Sequence, residues 1–277
     1  MSAACIRAAA LARGADFRET ASALRARAGL EPAEWACLPC IVGSSSHGIG
    51  LVESDPRAEL APPIEFARGL ARAFEVSGPV LSTSSACTSG LAALQLALDL
   101  MHAGAFRHAL VLGAELSNRL TLAGFTGLGL VPGMTLGEAL GAVVVSREGA
   151  WRIASLAWQL DPASLTGVSP DGHTLAQAMR DALSAAAWSA SDVDLVKLAS
   201  GNAENDHAEA RALSAVFAPL PRGISLKGEL GHTLGASGPA ELALLLERLA
   251  HGGERRVLFN LAGFGGSVAS MALERAG

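Results

Sequence analysis

The sequence predicts a layered α/β protein in which helices pack against sheets. Short apolar runs with the length of buried strands alternate with longer segments of helical periodicity, and this alternation occurs twice along the chain. The chain has 277 residues, of which 50% are hydrophobic and 17% are charged. That length suffices for one large domain or two ordinary ones, and the apolar composition is typical of extensive buried surface, including a subunit interface.

The first half of the chain shows the alternation after a start rich in alanine and arginine. Residues 1–29 predict one or two helices that end at Gly29. Apolar runs predict strands at residues 40–43, 78–81, 106–113 and 138–146. Helical spacing predicts helices at residues 64–75 and 91–100, and serine- and glycine-rich segments predict loops at residues 44–50 and 124–137. We expect residues 1–150 to form an N-terminal half.

The second half repeats the pattern. Strands are predicted at residues 151–158, 194–198, 257–260 and 268–273, and helices at residues 175–188, 205–217 and 238–251. Asn205 or Asp206 is expected to cap its helix. A tight glycine loop at residues 262–267 precedes the last strand. We expect residues 151–277 to form a C-terminal half.

Composition excludes several classes of function. The formal net charge is −5 and no basic stripe with interleaved aromatic residues occurs, so nucleic acid is not an expected partner. No run of 18 apolar residues occurs, so no membrane span is expected. The N-terminal segment lacks the apolar core of a signal peptide, and although its composition is compatible with a transit peptide, the cytoplasm is the expected location.

The four cysteines are too sparse for a disulfide framework. Cys37 and Cys40 form a lone C-x-x-C pair, and no second pair at a suitable spacing would complete a zinc site. A redox pair is an alternative, but two core-facing cysteines are the simpler interpretation. The glycine pairs at residues 48–50 and 127–129 lack the G-x-G-x-x-G register, so no nucleotide site is expected.

Cys87 stands where a predicted strand turns into a predicted helix. Free backbone amides and the positive end of the helix dipole stabilise negative charge at such a position, which predicts a lowered thiol pKa and a nucleophilic thiolate. Its small neighbours Ala86, Ser89 and Gly90 leave room for an acyl chain or another backbone. The structural alternative is a buried cysteine that acts only as a small hydrophobic residue.

Motifs in both halves resemble those of one family. Residues 86–90, Ala-Cys-Thr-Ser-Gly, resemble the nucleophile motif of the β-ketoacyl synthases, the condensing enzymes of fatty-acid and polyketide assembly. Lys227 and His232 stand five residues apart, as in that family's lysine-to-histidine loop, and Glu241 follows where the family places a glutamate that pairs with the lysine.

Two further segments carry the same resemblance. Residues 260–267 are similar to the family's C-terminal glycine loop, and residues 137–143 are similar to its Gly-Glu entry into a strand. The resemblance implies the thiolase fold, with two similar layered α-β halves of which the N-terminal half is truncated. It implies no cofactor and no metal ion.

The resemblance also implies roles for the residues of the motifs. Cys87 would accept the acyl group, and His232 would donate a hydrogen bond to a malonyl thioester. Lys227 and Glu241 would support the loop that carries His232. The oxyanion and gating loop would comprise Gly263, Phe264, Gly265 and Gly266. The backbone N–H groups of Cys87 and Phe264 would form the oxyanion hole.

Several departures from the family pattern bear on activity. The chain is short, and the family's opening strand has no recognisable counterpart in the sequence. Ser200 stands where the family has the second histidine that drives decarboxylation. His207 and His47 are the candidates to replace it. Losing one oxyanion donor typically costs about 10²–10³ in rate, so decarboxylation is expected to be impaired.

Two functions are therefore expected from the sequence. The first is a chain-length-factor-like partner of an active ketosynthase in type II fatty-acid or polyketide assembly, with accessory proteins of aryl polyene pathways as a more specific variant. The second is an active acyltransferase or 3-oxoacyl-[acyl-carrier-protein] synthase that uses Cys87 and His232. A third, simpler alternative binds acyl groups without turnover. The expected partners are an acyl carrier protein or acyl thioester, and a ketosynthase in a homo- or heterodimer through residues 80–85.

Overall fold

Ten strands form one hydrogen-bonded sheet in the part of the chain that the structure describes. The computed structural model describes residues 4–13, 17–55, 57, 59–163, 165–199 and 201–277. The strands are β1 (Ala4–Ala12), β2 (Cys40–Gly43), β3 (Val80–Thr83), β4 (His108–Glu115), β5 (Ala139–Ser146), β6 (Trp151–Leu160), β7 (Leu195–Lys197), β8 (Arg222–Ile224), β9 (Arg256–Gly263) and β10 (Ser267–Arg275).

Helices occupy most of the connections between these strands. They are α1 (Phe17–Ala28), α2 (Pro32–Ala36), α3 (Ile49–Ser54), α4 (Pro63–Ala73), α5 (Ser89–His102), α6 (Arg119–Gly127), α7 (His173–Ala186), α8 (Ala203–Val216), α9 (Lys227–Leu230) and α10 (Ser237–Leu249). Among the described residues, none of the helices combines the length and the hydropathy that crossing a bilayer requires.

The strand order shows that the two halves of the chain repeat one topology. The first five strands lie in the order β3-β2-β4-β5-β1, and the last five lie in the order β8-β7-β9-β10-β6. Numbered within each half, both orders are 3-2-4-5-1. β1 and β6 join the halves by antiparallel pairing, for example between Cys5 and Arg152. The division of the chain into domains at residue 150 stays a prediction.

Alternating side chains divide the interior into three cores, as expected for strands that are buried on both faces. In β4, Ala109 and Val111 face a central core, whereas Leu110 and Leu112 face an outer core beneath α1 and α4. α5 and α10 both lie in the central core, where strands of the two halves also meet. A third core lies beneath α7 and α8. The five strands of each half form one layer of the sheet, and helices lie between these two layers and outside them. The order of layers is therefore helix, sheet, helix, sheet and helix. The predicted layered α/β architecture is confirmed.

The prediction of helices across residues 1–29 was wrong for its first part. Residues 4–12 form β1, which pairs with β5 along most of its length and with β6 at its start. Alanine and arginine favour helix locally, but a segment between two strands gains a hydrogen-bonded ladder on both sides, and that tertiary context decides its structure. The sequence showed no recognisable counterpart of the family's opening strand, but the structure has an opening strand, β1. α1 ends beside Gly29, which has a φ of 56°.

Other differences from the predictions are local. α6 and a turn occupy much of the predicted loop 124–137, and Asn118 caps α6 by accepting a hydrogen bond from the Thr121 N–H at 2.8 Å. α8 begins earlier than predicted, with Asn202 as its cap. β8 was not predicted, since three exposed or half-buried residues carry little periodic signal.

Cys40 is buried, but Cys37 is exposed, so the expectation that both cysteines face the core was wrong.

Candidate active site

Cys87 lies in the turn between β3 and α5, one residue before the helix cap Thr88. The preceding residue, Ala86, has a φ of 49°, in the left-handed region that costs a non-glycine residue about 1–2 kcal/mol. Hydrogen bonds within the turn stabilise this conformation. The Ser89 hydroxyl donates to the Ala86 carbonyl at 2.6 Å and accepts from the Ser85 N–H at 2.9 Å. The turn holds the Cys87 side chain in one place, where it is only 2% exposed.

His232 contacts Cys87 across the two halves of the molecule. Its Nε2 lies 3.2 Å from the Cys87 Sγ. The His232 backbone is fixed because its N–H donates to the Thr135 carbonyl at 2.7 Å and its carbonyl accepts from the Gly137 N–H at 3.0 Å. Among the described residues, the His232 Nδ1 has no hydrogen-bond partner. The structure therefore brings together two residues that the sequence predicted for the site.

Burial controls the protonation of this pair. It lowers the pKa of His232 to about 3, with a further contribution from the positive charge of Lys227, so the imidazole is neutral near pH 7. Burial also raises the pKa of the Cys87 thiol, although the Phe264 N–H and the charge of Lys227 oppose that shift. The expectation that the helix start would lower the thiol pKa was wrong, because removal from water outweighs the nearby amides.

The glycine loop packs directly on the nucleophile turn. The backbone N–H groups of Phe264 and of Cys87 itself both face the Cys87 sulfur. A Cβ on Gly263 would lie 3.1 Å from the Cys87 Cβ, and Gly266 has a φ of 72°. The hydroxyls of Thr88 and Ser267 lie 3.0 Å apart and connect the turn to the loop. The predicted oxyanion donors are therefore adjacent to the sulfur, while their role stays a prediction.

Glu241 binds two buried lysines behind His232. The Lys227 Nζ donates to one Glu241 oxygen at 2.7 Å, as the sequence predicted, and the Lys197 Nζ contacts the other oxygen. Lys197 also donates to the Asn260 carbonyl at 2.9 Å and lies 4.3 Å from the centre of the Phe259 ring. Burial lowers the pKa of Lys197 to about 8. Sequence reasoning missed Lys197. The signal that could have identified it is the presence of a lysine inside an otherwise apolar strand.

A small cavity adjoins Cys87 and His232. Its volume is about 20 Å³, room for about one water molecule. Asn205 and Glu209 of α8 line it together with Gly201. Among the described residues that line the cavity, His232 is the only histidine.

The candidates for a second histidine do not enter this cavity in the described part of the chain. Ser200, the predicted position of the missing histidine, lies outside the described residues. His207 is exposed on α8. His47 packs edge-on against the Phe66 ring with the ring centres 6.0 Å apart. Neither His207 nor His47 is among the residues that line the cavity.

An open apolar cleft of about 360 Å³ reaches Cys87 from another direction. Phe264 borders both the cleft and the small cavity. Its ring stacks on Phe125 of α6, with the ring centres 5.1 Å apart. Ser45 and Ser46 also line the cleft. Their loop is held by the buried carboxylate of Glu115, which accepts from the Ser45 hydroxyl at 2.8 Å. Sequence reasoning did not identify Glu115.

Comparison with known proteins identifies the family of the chain. The family model for the β-ketoacyl synthase N-terminal domain matches residues 66–150, and the model for the C-terminal domain matches residues 152–254. The chain belongs to the β-ketoacyl synthase family.

Curated relatives of the chain belong to polyketide assembly. A putative β-ketoacyl synthase 1 for the oxytetracycline polyketide of Streptomyces rimosus is 30% identical, with 69% of this chain and 52% of that protein covered. The polyketide synthase GfsA of Streptomyces halstedii is also 30% identical, with 78% of this chain covered but only 4% of that protein. The chain thus spans about half the length of the first relative and a small part of the second.

Solved structures confirm the thiolase fold that the resemblance implied. A type II polyketide synthase acyl-carrier protein in complex with its ketosynthase includes a chain with a TM-score of 0.84 and 15% identity, with both chains covered completely. A complex of the ketosynthase ApeO with its chain length factor ApeC from Xenorhabdus doucetiae gives a TM-score of 0.78 at 19% identity, with 99% of this chain and 98% of that chain covered.

Proposed function

We propose that the chain is a ketosynthase-like subunit of a type II fatty-acid or polyketide system that acts as a chain-length-factor-like partner of an active ketosynthase. The observation that carries this proposal is the cavity at Cys87, in which His232 is the only histidine among the described lining residues. Its own decarboxylative condensation is impaired, since one oxyanion donor is worth about 10²–10³ in rate. Aryl polyene assembly is a more specific form of the proposal.

The partner surface is proposed to be the edge formed by residues 80–85. β3 is the outermost strand of its half and pairs only with β2 in the described part of the chain. An edge strand offers unpaired backbone groups that a second subunit can use. The ApeO complex supports the partner role by analogy, because that ketosynthase is assembled with a chain length factor. The acyl group is proposed to arrive on an acyl carrier protein or as another acyl thioester.

The second candidate is an active Cys-dependent condensing enzyme, and the Cys87–His232 contact favours it. Over 3.2 Å the thiol proton can pass to the His232 Nε2, and the resulting thiolate attacks the carbonyl carbon of an acyl thioester. The N–H groups of Cys87 and Phe264 would stabilise the oxyanion. The departing thiol takes the proton, and the acyl group stays on the Cys87 sulfur.

Two measurements separate the two candidates: the mass of the acyl-enzyme and the formation of condensation product. A Cys37→Ser background removes the exposed thiol, and Cys87→Ala is the test variant. For a partner subunit we expect no condensation product from the chain alone. We expect product to form when the chain is combined with a co-purifying ketosynthase. Condensation by the isolated chain that is lost in Cys87→Ala would overturn the partner role and establish the second candidate.

A further inference from the structure

Asn205 presents an amide donor to the cavity that contains Cys87 and His232. It lies in the first turn of α8, where its backbone N–H donates to the Asn202 side chain at 2.9 Å. Asn205 lines the cavity together with Gly201. The cap therefore fixes the backbone of Asn205 at the wall of the site.

The orientation of the amide follows from one hydrogen bond. The Val168 N–H donates to the Asn205 Oδ1 at 3.3 Å, and a backbone N–H can donate only to the oxygen of an amide. The Nδ2 group is thereby directed to the other side, where a Cβ built on Gly201 would lie 3.7 Å from it. Gly201 has no side chain, and it lines the cavity together with Asn205.

We propose that Asn205 is a catalytic residue: its Nδ2 and the His232 Nε2 together hold the thioester oxygen of a malonyl-type substrate during decarboxylation. This inference rests on the proposed ketosynthase-type site and adds one point to it: the loss of the second histidine slows decarboxylation, and Asn205 supports the activity that remains. The cavity of about 20 Å³ fits an oxygen atom with its hydrogen bonds rather than an acyl chain. Side-chain amides serve as oxyanion donors in the same manner as backbone amides.

The reaction needs no further reagent. The bond between the malonyl carboxylate carbon and the methylene carbon breaks, carbon dioxide leaves, and the electron pair moves into the thioester. The thioester oxygen becomes an enolate oxygen, to which Asn205 and the Nε2–H tautomer of His232 donate. With an acyl group on Cys87, the enolate carbon attacks the acyl carbon and the Cys87 thiolate departs. Without an acyl group, the enolate takes a proton from water and gives an acetyl thioester.

Asn205→Asp is the sharpest test of the proposal. Aspartate keeps the oxygen that accepts from the Val168 N–H and removes the Nδ2 donor. It also adds a negative charge to the cavity that the buried Glu209 lines, so Asn205→Ala, which adds no charge, is measured beside it. We expect carbon dioxide release from malonyl-coenzyme A to fall by about 10²-fold, as for other lost oxyanion donors. Asn205→Ala is expected to lose release similarly. The exposed His207 on the same helix gives the control His207→Ala, which is expected to retain full release.

The outcomes separate this inference from the proposed function. Unchanged release in Asn205→Asp would overturn the inference and leave Asn205 a structural residue. Absence of release from the unaltered chain would also overturn it, while product formation with a ketosynthase would still support the partner role. Conversely, release that depends on Asn205 but a chain that neither assists a ketosynthase nor takes an acyl group on Cys87 would uphold the inference and overturn the proposed function.

Discussion

Cys87 and His232 are 2% and 4% exposed, so the contact between them is buried. In this environment both groups prefer their neutral forms, because neither the thiolate nor the imidazolium is solvated. Lys227 acts on both groups in the same direction, since its charge lowers both pKa values. The resting site therefore favours the neutral thiol over the thiolate.

The lowered pKa of His232 predicts an acid-dependent loss of stability. The pKa is about 3 in the folded chain and near the ordinary value of 6.5 in the unfolded chain. Below pH 6.5 the unfolded chain binds a proton that the folded chain does not. This histidine then lowers the free energy of unfolding by about 1.4 kcal/mol per pH unit as the pH falls toward 3.

Urea unfolding at several values between pH 6.5 and 4 measures this contribution. His232→Asn cannot titrate, so we expect its stability to fall less steeply with decreasing pH than that of the unaltered chain. His251→Asn, at an exposed histidine, is the matched control and is expected to keep the original slope. Equal slopes for all three proteins would contradict the assignment to His232.

At the scale of elements, Glu241 joins three segments that are distant in the sequence. It lies on α10, Lys197 ends β7, and Lys227 begins α9. Burial would raise the pKa of Glu241, but the two lysines hold it below its ordinary value. α9 leads directly into His232, so this charge cluster positions the segment that carries the imidazole.

The cluster predicts unequal costs for removing its members. Glu241→Gln leaves two buried lysines without their counter-ion, and we expect it to lower the free energy of unfolding by about 3–5 kcal/mol. Lys197→Met leaves Glu241 paired with Lys227 and places an apolar chain in an apolar strand, so its cost is expected to be smaller. Urea unfolding of the two variants measures the difference. A larger cost for Lys197→Met would show that Lys197 is the main partner of Glu241.

At the scale of the whole molecule, Cys87 and His232 come from different halves and meet where the halves pack together. α5 and α10 share the central core, so the geometry of the site depends on that packing. The open apolar cleft is bordered by Ser84, at the end of the proposed partner edge. Association at this edge would therefore bring a second subunit close to the open apolar cleft.

A charge at the edge tests the proposed association. Ser84 is exposed, so Ser84→Arg is expected to leave the monomer folded while it introduces a charge into the interface. Ser191→Arg places the same charge on an exposed position in the other half and serves as the control. We expect light scattering to show a loss of dimer, with or without a co-purified ketosynthase, only for Ser84→Arg. Unchanged association would place the interface elsewhere.

Local signals in the sequence predicted most of the elements and the central site residues. Buried strands such as residues 40–43 and 138–146 are continuous apolar runs, and the helices that pack on them are periodic. The motifs around Cys87, His232 and Phe264 were recognisable because each is a short contiguous segment. β1 was missed, since an alanine-rich strand has no distinctive pattern until its two neighbours are known.

The sequence by itself determined the layered α/β class, the family and the choice of Cys87 and His232 as candidate site residues, because strand periodicity and contiguous motifs are local properties. Only the tertiary structure decided the strand between β5 and β6, the second lysine on Glu241 and the amide of Asn205 at the cavity. It also reversed the expected pKa shift of Cys87. Burial, strand pairing and the approach of side chains depend on segments far apart in the chain, and no local pattern records them.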